Sequence, residues 1–387
     1  MRRDELGRGR GPMTTADLER AVLTFVNDAL LRDRPKVTAA DRLFEDGHLD
    51  SLRVLELIRF IEDSTGRRIP DRSIRLATFR SVRAIARAFS DDGSGVGDAG
   101  EDGGPTYEYH ITPEGFASPI AEMRAAGELI ESGGAHGLAG SAAQLAEFFD
   151  ATFARWGREL GADEVAAPDL IPMSTLERAG FLADFPQVLV KATNGNAYAP
   201  AACYHRYAAL AGATLERGLV LGVLASCRRA ETDPAPLERA TRFTMRETVT
   251  IGARQDVERS QHRLLRRVDR FVTLLSLDGV IAPASDPFFV RNSGQALLQR
   301  AGALKQELRL SLEHGRRVAV ASFNRHHDYF GRRFSITMDG EPAHSGCVAF
   351  GIERWVLAFV TQHGTDQRRW PAAVRDALEL RRAHASR

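Results

Sequence analysis

The sequence predicts an α+β protein in which an antiparallel sheet flanked by helices follows a small all-α domain, and three observations carry that reading. Between Leu219 and Gly252 two runs rich in β-branched and aromatic residues, GLVLGVLAS and RFTMRETVTIG, flank a polar connection that contains PAP, the pattern of paired strands around a breaker. From Thr14 to about Phe89 apolar residues recur at helical spacing, as in amphipathic helices. Residues 90–105, SDDGSGVGDAGEDGGP, are almost devoid of apolar side chains; such a run cannot bury enough surface to order itself and reads as a flexible tether.

The 387 residues suit about two or three domains by the usual length prior. The expected organisation is a mobile leader (1–13), a helical domain (14–89), the tether (90–105) and a larger α+β domain (106–387). Hydrophobic content of 43% and a net charge of +1 describe a soluble globular chain. Lys+Arg total 52 against 51 Asp+Glu, so no basic surplus advertises a large nucleic-acid footprint, which weighs against tRNA as a partner. Cys203, Cys227 and Cys347 are odd in number and far apart; they do not suggest a secreted disulfide framework, and a reducing cytoplasm fits better. The start, MRRDELGRGRGPM, lacks an apolar core segment, and no later run approaches a membrane span.

In the helical domain, LFEDGHLDSLRVLELIRFIEDSTG places Leu52, Leu55, Ile58 and Ile61 at intervals of three, predicting an amphipathic helix that opens at Ser51. Asp50 and Ser51 are both good N-cap residues, and on these residues alone Ser51 is a helix cap. The whole segment resembles an acyl or peptidyl carrier protein. LFEDGHLDSL is close to that family's serine motif, and RRIPDRSIRLATFRSVRAIARAF resembles its third and fourth helices. The resemblance implies a four-helix domain in which Ser51 receives a 4'-phosphopantetheine arm from a phosphopantetheinyl transferase, the helix N-terminus favouring the phosphate. Arg53 and Arg59 dilute Glu56, Glu62 and Asp63 on a helix that is often strongly acidic in the family.

In the larger domain, SAAQLAEFFDATFARWGREL has helical spacing and leads through Gly161 into ADEVAAPDLIPMSTLERAGFLADFP. In the paired runs that follow, Arg229 and Glu231 are two apart at the end of the first, and Phe243, Met245 and Glu247 alternate along the second, so each set shares a face. By itself this is a hairpin with a charged rim. A helical run follows from Asp256 to Leu277, then IAPASDPFFVRNSG, then ALKQELRLSLEHGRRVAVASFNRHHDYFGRRFSI, and finally HSGCVAFGIERWVLAFV, a strand leading into a helix.

Taken in order, these pieces resemble the class II aminoacyl-tRNA synthetases, specifically seryl-tRNA synthetase and, more closely, its truncated relatives the amino-acid:carrier-protein ligases. The first helix and strand, with Pro168, resemble motif 1, which builds a homodimer interface. Arg229-Ala-Glu231 and the Phe243 strand resemble motif 2, and Gly351-Ile352-Glu353-Arg354 sits at the motif 3 junction. Asp328 to Arg333 resembles the family's Asp-Xaa-Xaa-Xaa-Arg-Arg element. The chain departs from seryl-tRNA synthetases in three places. Ala201-Ala202-Cys203 replaces their Thr-Xaa-Glu, no glutamate stands near Val318 where a nucleotide-metal ligand is expected, and the long tRNA-holding helical hairpin is replaced by the carrier-like domain.

The resemblance implies ATP and a small amino acid as substrates, with Mg²⁺ beside the nucleotide. Arg229 would orient the amino-acid carboxylate and the α-phosphate, Arg354 would neutralise the phosphate tail, Phe243 would stack on adenine and Glu231 would contact its amino group. Cys203, Glu247 and Cys347 would hold Zn²⁺, whose open fourth position suits the amine of the substrate; read blandly, the cysteines are small buried hydrophobes, as Cys227 is expected to be. Asp286 faces the substrate or is an exposed loop carboxylate, and Lys305 is a phosphate contact or a helix-surface lysine. His205, His326 and His327 receive no role. The implied activity is formation of an aminoacyl adenylate and transfer to a phosphopantetheine thiol on the fused carrier or a separate one. The alternatives are an aminoacyl-tRNA synthetase with an appended carrier module and a non-catalytic binding protein.

Overall fold

The computed structural model describes residues 13–31, 35–43, 48–49, 51–67, 69, 76–92, 107–109, 119–132, 135–284 and 305–385. The expected leader apart from Met13, most of the tether, and Asp286 lie outside them. The chain divides into two compact units, the first comprising Met1–Gly104 with Pro283–Leu304 and the second Pro105–Ala282 with Lys305–Arg387.

In the first unit, helix α1 (Thr15–Phe25) is capped by Thr14, whose side chain accepts from the Asp17 N–H, and it continues into a π-helical turn, Val26–Leu30. Helix α2 spans Ser51–Thr65 and opens at Ser51, where the sequence places its start. Two further helices follow, α3 (Leu76–Phe79) and α4 (Val82–Phe89), the latter capped by Ser81 accepting from Ala84. Leu18 and Val22, Leu57 and Ile61, and Val82 and Ile85 are buried in one core, as an i, i+4 or i, i+3 stripe on each helix requires. Phe25 and Phe60 stack at 4.1 Å.

The second unit is built on an eight-stranded sheet. Its strands are β1 (Tyr107–Tyr109), β2 (Asp163–Ala166), β3 (Leu219–Arg228), β4 (Arg242–Gly252), β5 (Gly279–Pro283), β6 (Lys305–Ser311), β7 (Arg317–His327) and β8 (His344–Gly351). They are ordered β1-β5-β6-β7-β8-β4-β3-β2. The run β6-β7-β8-β4-β3 is antiparallel, as expected. β2 pairs with β3 in parallel, because it enters the sheet after the long helix α5 (Gly140–Arg158); the sheet is therefore mixed rather than wholly antiparallel.

Strands β3 and β4 pair from Leu219↔Ile251 to Arg228↔Arg242. Arg229 and Glu231 thus lie in the connection, not on the strand where the sequence reading put them. The cause is local: the Arg229 N–H still reaches the Thr241 carbonyl, but the Ala230 N–H turns to Val188, and the prolines beyond have no N–H to extend a ladder.

Each face of the sheet buries a different set. Against one face pack α5, α7 (Arg254–Leu274) and α9 (Ile352–His363), with Phe149, Phe153, Trp156, Phe271, Trp355 and Phe359 in the core. Helix α10 (Ala372–Ala385) adds Val374 and Leu378 to that core. The other face is covered by α6 (Tyr204–Ala209) and α8 (Tyr329–Phe334), whose core joins Tyr207, Phe330 and Phe334 to Val223, Val249, Cys203, Cys227 and Cys347. Among the described residues no helix is long and apolar enough to cross a membrane.

Candidate metal centre and active-site face

The functional side chains follow from strand alternation. On β4, Arg246 points to the helix layer, where it grips Asp150 of α5 at 2.8 and 3.0 Å. Its neighbour Glu247 points to the other face and is 1% exposed. On β8, Cys347 stands opposite Val249 and Ala349 opposite Glu247, so Cys347 and Glu247 are diagonal neighbours on that face. Cys203, the residue before α6, comes down on the pair from above. The ligand atoms of Cys203, Glu247 and Cys347 all lie within 4.8 Å of one another, and all three residues are buried.

The electrostatics of this trio are those of crowded donors. The Cys203 thiol is pushed well up by its hydrogen bond to Cys347, by burial and by the Glu247 charge. At Cys347 the hydrogen bond from Cys203 acts downward, but burial and Glu247 outweigh it and the thiol is raised. Burial raises Glu247 too, against the Ala202 N–H that donates to its Oε1 at 2.9 Å. Its other oxygen, Oε2, is buried with no hydrogen-bond partner among the described residues. Two sulfurs and an unsatisfied carboxylate oxygen converging in a buried spot are a fitting donor set for one divalent ion. Cys227, on β3 opposite Phe243, is buried and stands outside the trio.

The remaining predicted residues gather beside it. Arg229 lies over the Phe243 ring, 5.2 Å from its centroid, and donates through Nε to the Pro200 carbonyl at 3.0 Å. Arg354, in the first turn of α9, donates to the carbonyls of Glu238 at 2.8 Å and Ala319 at 3.0 Å. Burial lowers its pKa, followed by the charge of Arg229, while Glu307, Glu231 and Glu238 act the other way; Arg229, Glu231 and Arg354 therefore share one electrostatic neighbourhood. Val318 is buried in the apolar core of the helix side, consistent with a position that carries no carboxylate.

Lys305 opens β6, so the helix-surface reading of it fails; its ammonium pairs with Glu307 at 2.5 Å. Arg309 pairs with the same carboxylate at 3.0 Å. Against the burial that would raise it, Lys305 and Arg309 hold the Glu307 carboxyl below its ordinary range. Glu307, Ser322, Ala349 and Glu247 form one cross-strand row, which puts this ion cluster on the trio's face about 14 Å away at the usual strand spacing. The Asp328–Arg333 element caps and forms α8, with Arg332 donating to Asp328 at 2.7 Å. Ser51 is the first residue of α2 in the other unit.

Sequence reasoning missed Glu307, Asn324 and Tyr207, and gave His326, which it named, no role. Asn324 Nδ2 lies 3.4 Å from the Cys347 sulfur, His326 Nε2 lies 3.9 Å from it, and Tyr207 meets His326 Nδ1 at 3.2 Å. Alternation along VAVASFNRHH was the available signal, since Ser322, Asn324 and His326 are spaced two apart.

A mixed sheet with this site face is a class II synthetase-like α+β fold. The seryl-tRNA synthetase of M. kandleri, solved with A. aeolicus tRNASec, matches it with a TM-score of 0.63 at 22% identity, over 70% of this chain and 62% of that one. In sequence, amino acid–acyl-carrier-protein ligase 1 of Bradyrhizobium diazoefficiens is 36% identical over 256 residues, 58% of this chain and 78% of the relative. The type-2 serine–tRNA ligase of Methanococcus aeolicus is 30% identical over 149 residues, 37% of this chain and 28% of that enzyme. No protein-family model matches the chain. The chain belongs to the amino acid–acyl-carrier-protein ligase family, and it is a ligase.

Proposed function

We propose that the protein activates a small amino acid with ATP and passes the aminoacyl group to a phosphopantetheine thiol, foremost the one carried on Ser51 of its own N-terminal unit. The observation that carries this reading is the convergence of Cys203, Glu247 and Cys347 within 4.8 Å, beside Arg229 and Phe243, in a relative of named carrier-protein ligases. A Zn²⁺ ion held by those three residues would supply a Lewis-acidic anchor for the neutral amino group of the substrate.

The chain's own residues do the rest by positioning and charge compensation. Arg229 holds the amino-acid carboxylate against the α-phosphate of ATP. A carboxylate oxygen forms a bond to the α-phosphorus, and the bond to the bridging oxygen breaks with release of pyrophosphate. Phe243 offers its ring to adenine, Glu231 accepts from the adenine amino group, and Arg354 offsets the tail charge that accompanies Mg²⁺ into the site. In the second step a deprotonated phosphopantetheine thiol attacks the aminoacyl carbonyl carbon, the carbon–oxygen bond to AMP breaks, and a thioester results. A Gly- and Asp-rich tether raises the effective concentration of a fused carrier to roughly the millimolar range; a separate carrier protein fits the same chemistry. Helix α5 and strand β2, the segment that resembles motif 1, would contribute to the interface of a homodimer, in the cytoplasm.

A true aminoacyl-tRNA synthetase is less well supported, because the tRNA ligase relative is matched over only 28% of its length. The deciding experiment is amino-acid-dependent ATP–pyrophosphate exchange over a panel of amino acids, then intact-mass analysis of the pantetheinylated protein. Exchange with a small amino acid and an aminoacyl mass increment are expected. Exchange without the increment would move the acceptor to a separate carrier, and no exchange with any amino acid would leave a binding protein.

A further inference from the structure

We propose that Asn324 and His326 act together as hydrogen-bond donors to the Cys347 sulfur and tune it as a metal ligand, with the Tyr207 hydroxyl setting the tautomer of His326. The inference rests on the metal reading of the trio and deepens it. Three observations support it independently of any ion.

The first is register. Asn324 stands directly opposite Cys347, Arg325 opposite Gly346 and His327 opposite Ser345. His326 is therefore the extra residue of a β-bulge, without a partner across the ladder. A bulge re-aims one side chain while the strand around it continues. Here the imidazole stays on Asn324's side of the strand and is free of a ladder partner, with Nε2 at 3.9 Å from Sγ, while Asn324 Nδ2 approaches the same atom at 3.4 Å.

The second is the other side of the ring. Nδ1 of His326 meets the Tyr207 hydroxyl at 3.2 Å and the Ser345 hydroxyl at 3.4 Å. Tyr207 is wholly buried and stacked on Phe330 at 4.1 Å, so its hydroxyl has little freedom. Either hydroxyl can donate to Nδ1, and with Nδ1 accepting, as proposed, a neutral imidazole carries its proton on Nε2, the nitrogen that faces sulfur.

The third is exclusion from the trio. The group of ligand atoms within 4.8 Å of one another comprises Cys203, Glu247 and Cys347 and does not include His326. Among the described residues His326 thus borders one ligand rather than joining the set. N–H donors to a bound thiolate draw charge from sulfur, lower the energy of its lone pairs and make the ion a stronger Lewis acid. Outer partners of this kind orient ligands and tune metals elsewhere. Asn324 and His326 are positioning residues in this scheme, acting through Cys347.

The test uses the full chain loaded with Co²⁺, whose sulfur-to-metal charge-transfer and d–d bands report the ligands directly. Wild-type protein is expected to take up one Co²⁺ per chain and show both sets of bands. His326→Leu and Asn324→Ala should each move the charge-transfer band to lower energy, keep tetrahedral d–d intensity and weaken metal affinity by about 10–100-fold, read by chelator competition. Tyr207→Phe, which keeps the ring, should shift the band the same way by less. It decides the question even if His326→Leu does not fold. Unshifted bands in folded variants would overturn the inference while leaving the metal reading intact. Collapse of the d–d pattern in His326→Leu would overturn it by making His326 a ligand. Failure of the wild-type chain to bind Co²⁺ would remove the metal reading and this inference together.

Discussion

Ala202 donates its backbone N–H to Oε1 of Glu247 at 2.9 Å across 45 residues of sequence. That bond ties the turn before α6 to the middle of β4 and sets Cys203 beside the carboxylate. Glu247→Gln keeps an oxygen for Ala202 but removes the charge, and Cys203→Ser removes a sulfur. Both variants are expected to lose metal affinity by more than the roughly 10–100-fold that outer-sphere changes cost. Cys227→Ser should keep wild-type metal content, since Cys227 stands outside the trio. Elemental analysis of protein purified with Zn²⁺ checks all three; equal loss in Cys227→Ser would contradict the assignment.

Arg229 lies 5.2 Å from the Phe243 ring centroid and is fixed through Nε to the Pro200 carbonyl. Its planar fork can serve carboxylate and phosphate at once, which a lysine ammonium cannot. Arg229→Lys should therefore lower kcat for amino-acid-dependent exchange by about 10²–10³-fold, the usual size of a lost transition-state contact. Metal content should stay unchanged. A rise confined to the KM of ATP would mean that the residue serves ground-state binding alone.

On the opposite face of the same strand, Arg246 is 5% exposed and joins Asp150 of α5 to Glu164 of β2. The motif-2 strand is thereby bolted to the helix and edge strand that the sequence assigns to motif 1. Arg246→Met leaves two carboxylates facing one another and should destabilise the second unit by about 3 kcal/mol, the low end for a broken buried pair because Asp150 and Glu164 are partly exposed. Urea unfolding measures it. Asp150→Asn combined with Arg246→Met should cost less than the two changes summed, as contacting residues couple.

The position of Ser51 at the start of α2 makes a separate prediction. Ser51→Ala should retain amino-acid-dependent exchange, because the second unit holds the activation residues, and lose the protein-bound aminoacyl thioester. Intact mass after incubation with phosphopantetheinyl transferase, ATP and the amino acid distinguishes the two. A thioester that survives on Ser51→Ala would place the attachment elsewhere.

Much of this was legible because alternation and order in the sequence are geometric statements. Period two put Phe243, Met245 and Glu247 on one face of β4, and strand-then-helix patterning put Arg354 at the start of α9. What the sequence could not convey is pairing. Nothing in Cys347 itself tells that Asn324 stands across from it, and the bulge that frees His326 is a property of two strands, not one. The helix-surface alternative for Lys305 fails for a related reason: KQELRLS carries charges at every second position, a strand signal that its Lys, Glu and Leu content disguised as helix. The departure of Arg229 from β3 was likewise invisible, because it depends on Val188 accepting the Ala230 N–H.

The last prediction concerns acid. His327 is pulled down to about 4, first by burial and then by the charges of His344, Arg254 and Arg325, with Asp328 acting the other way. An unfolded histidine titrates near ~6.5, so between those values the unfolded chain binds a proton that the fold refuses. Stability from this group is complete above about pH 6.5 and declines as pH falls toward 4. For a partly exposed ring the loss is on the order of 1–2 kcal/mol. The backbone at His327 has φ of 49°, a conformation that asparagine tolerates better than most residues, so His327→Asn is the appropriate probe. Urea midpoints at pH 7 and pH 5 should converge in His327→Asn relative to wild type; His326, which burial holds at about 3, and His205, His344 and His363, each lowered by burial, contribute to the slope that remains. Identical slopes in the two proteins would show that the strand end opens before His327 has to accept a proton.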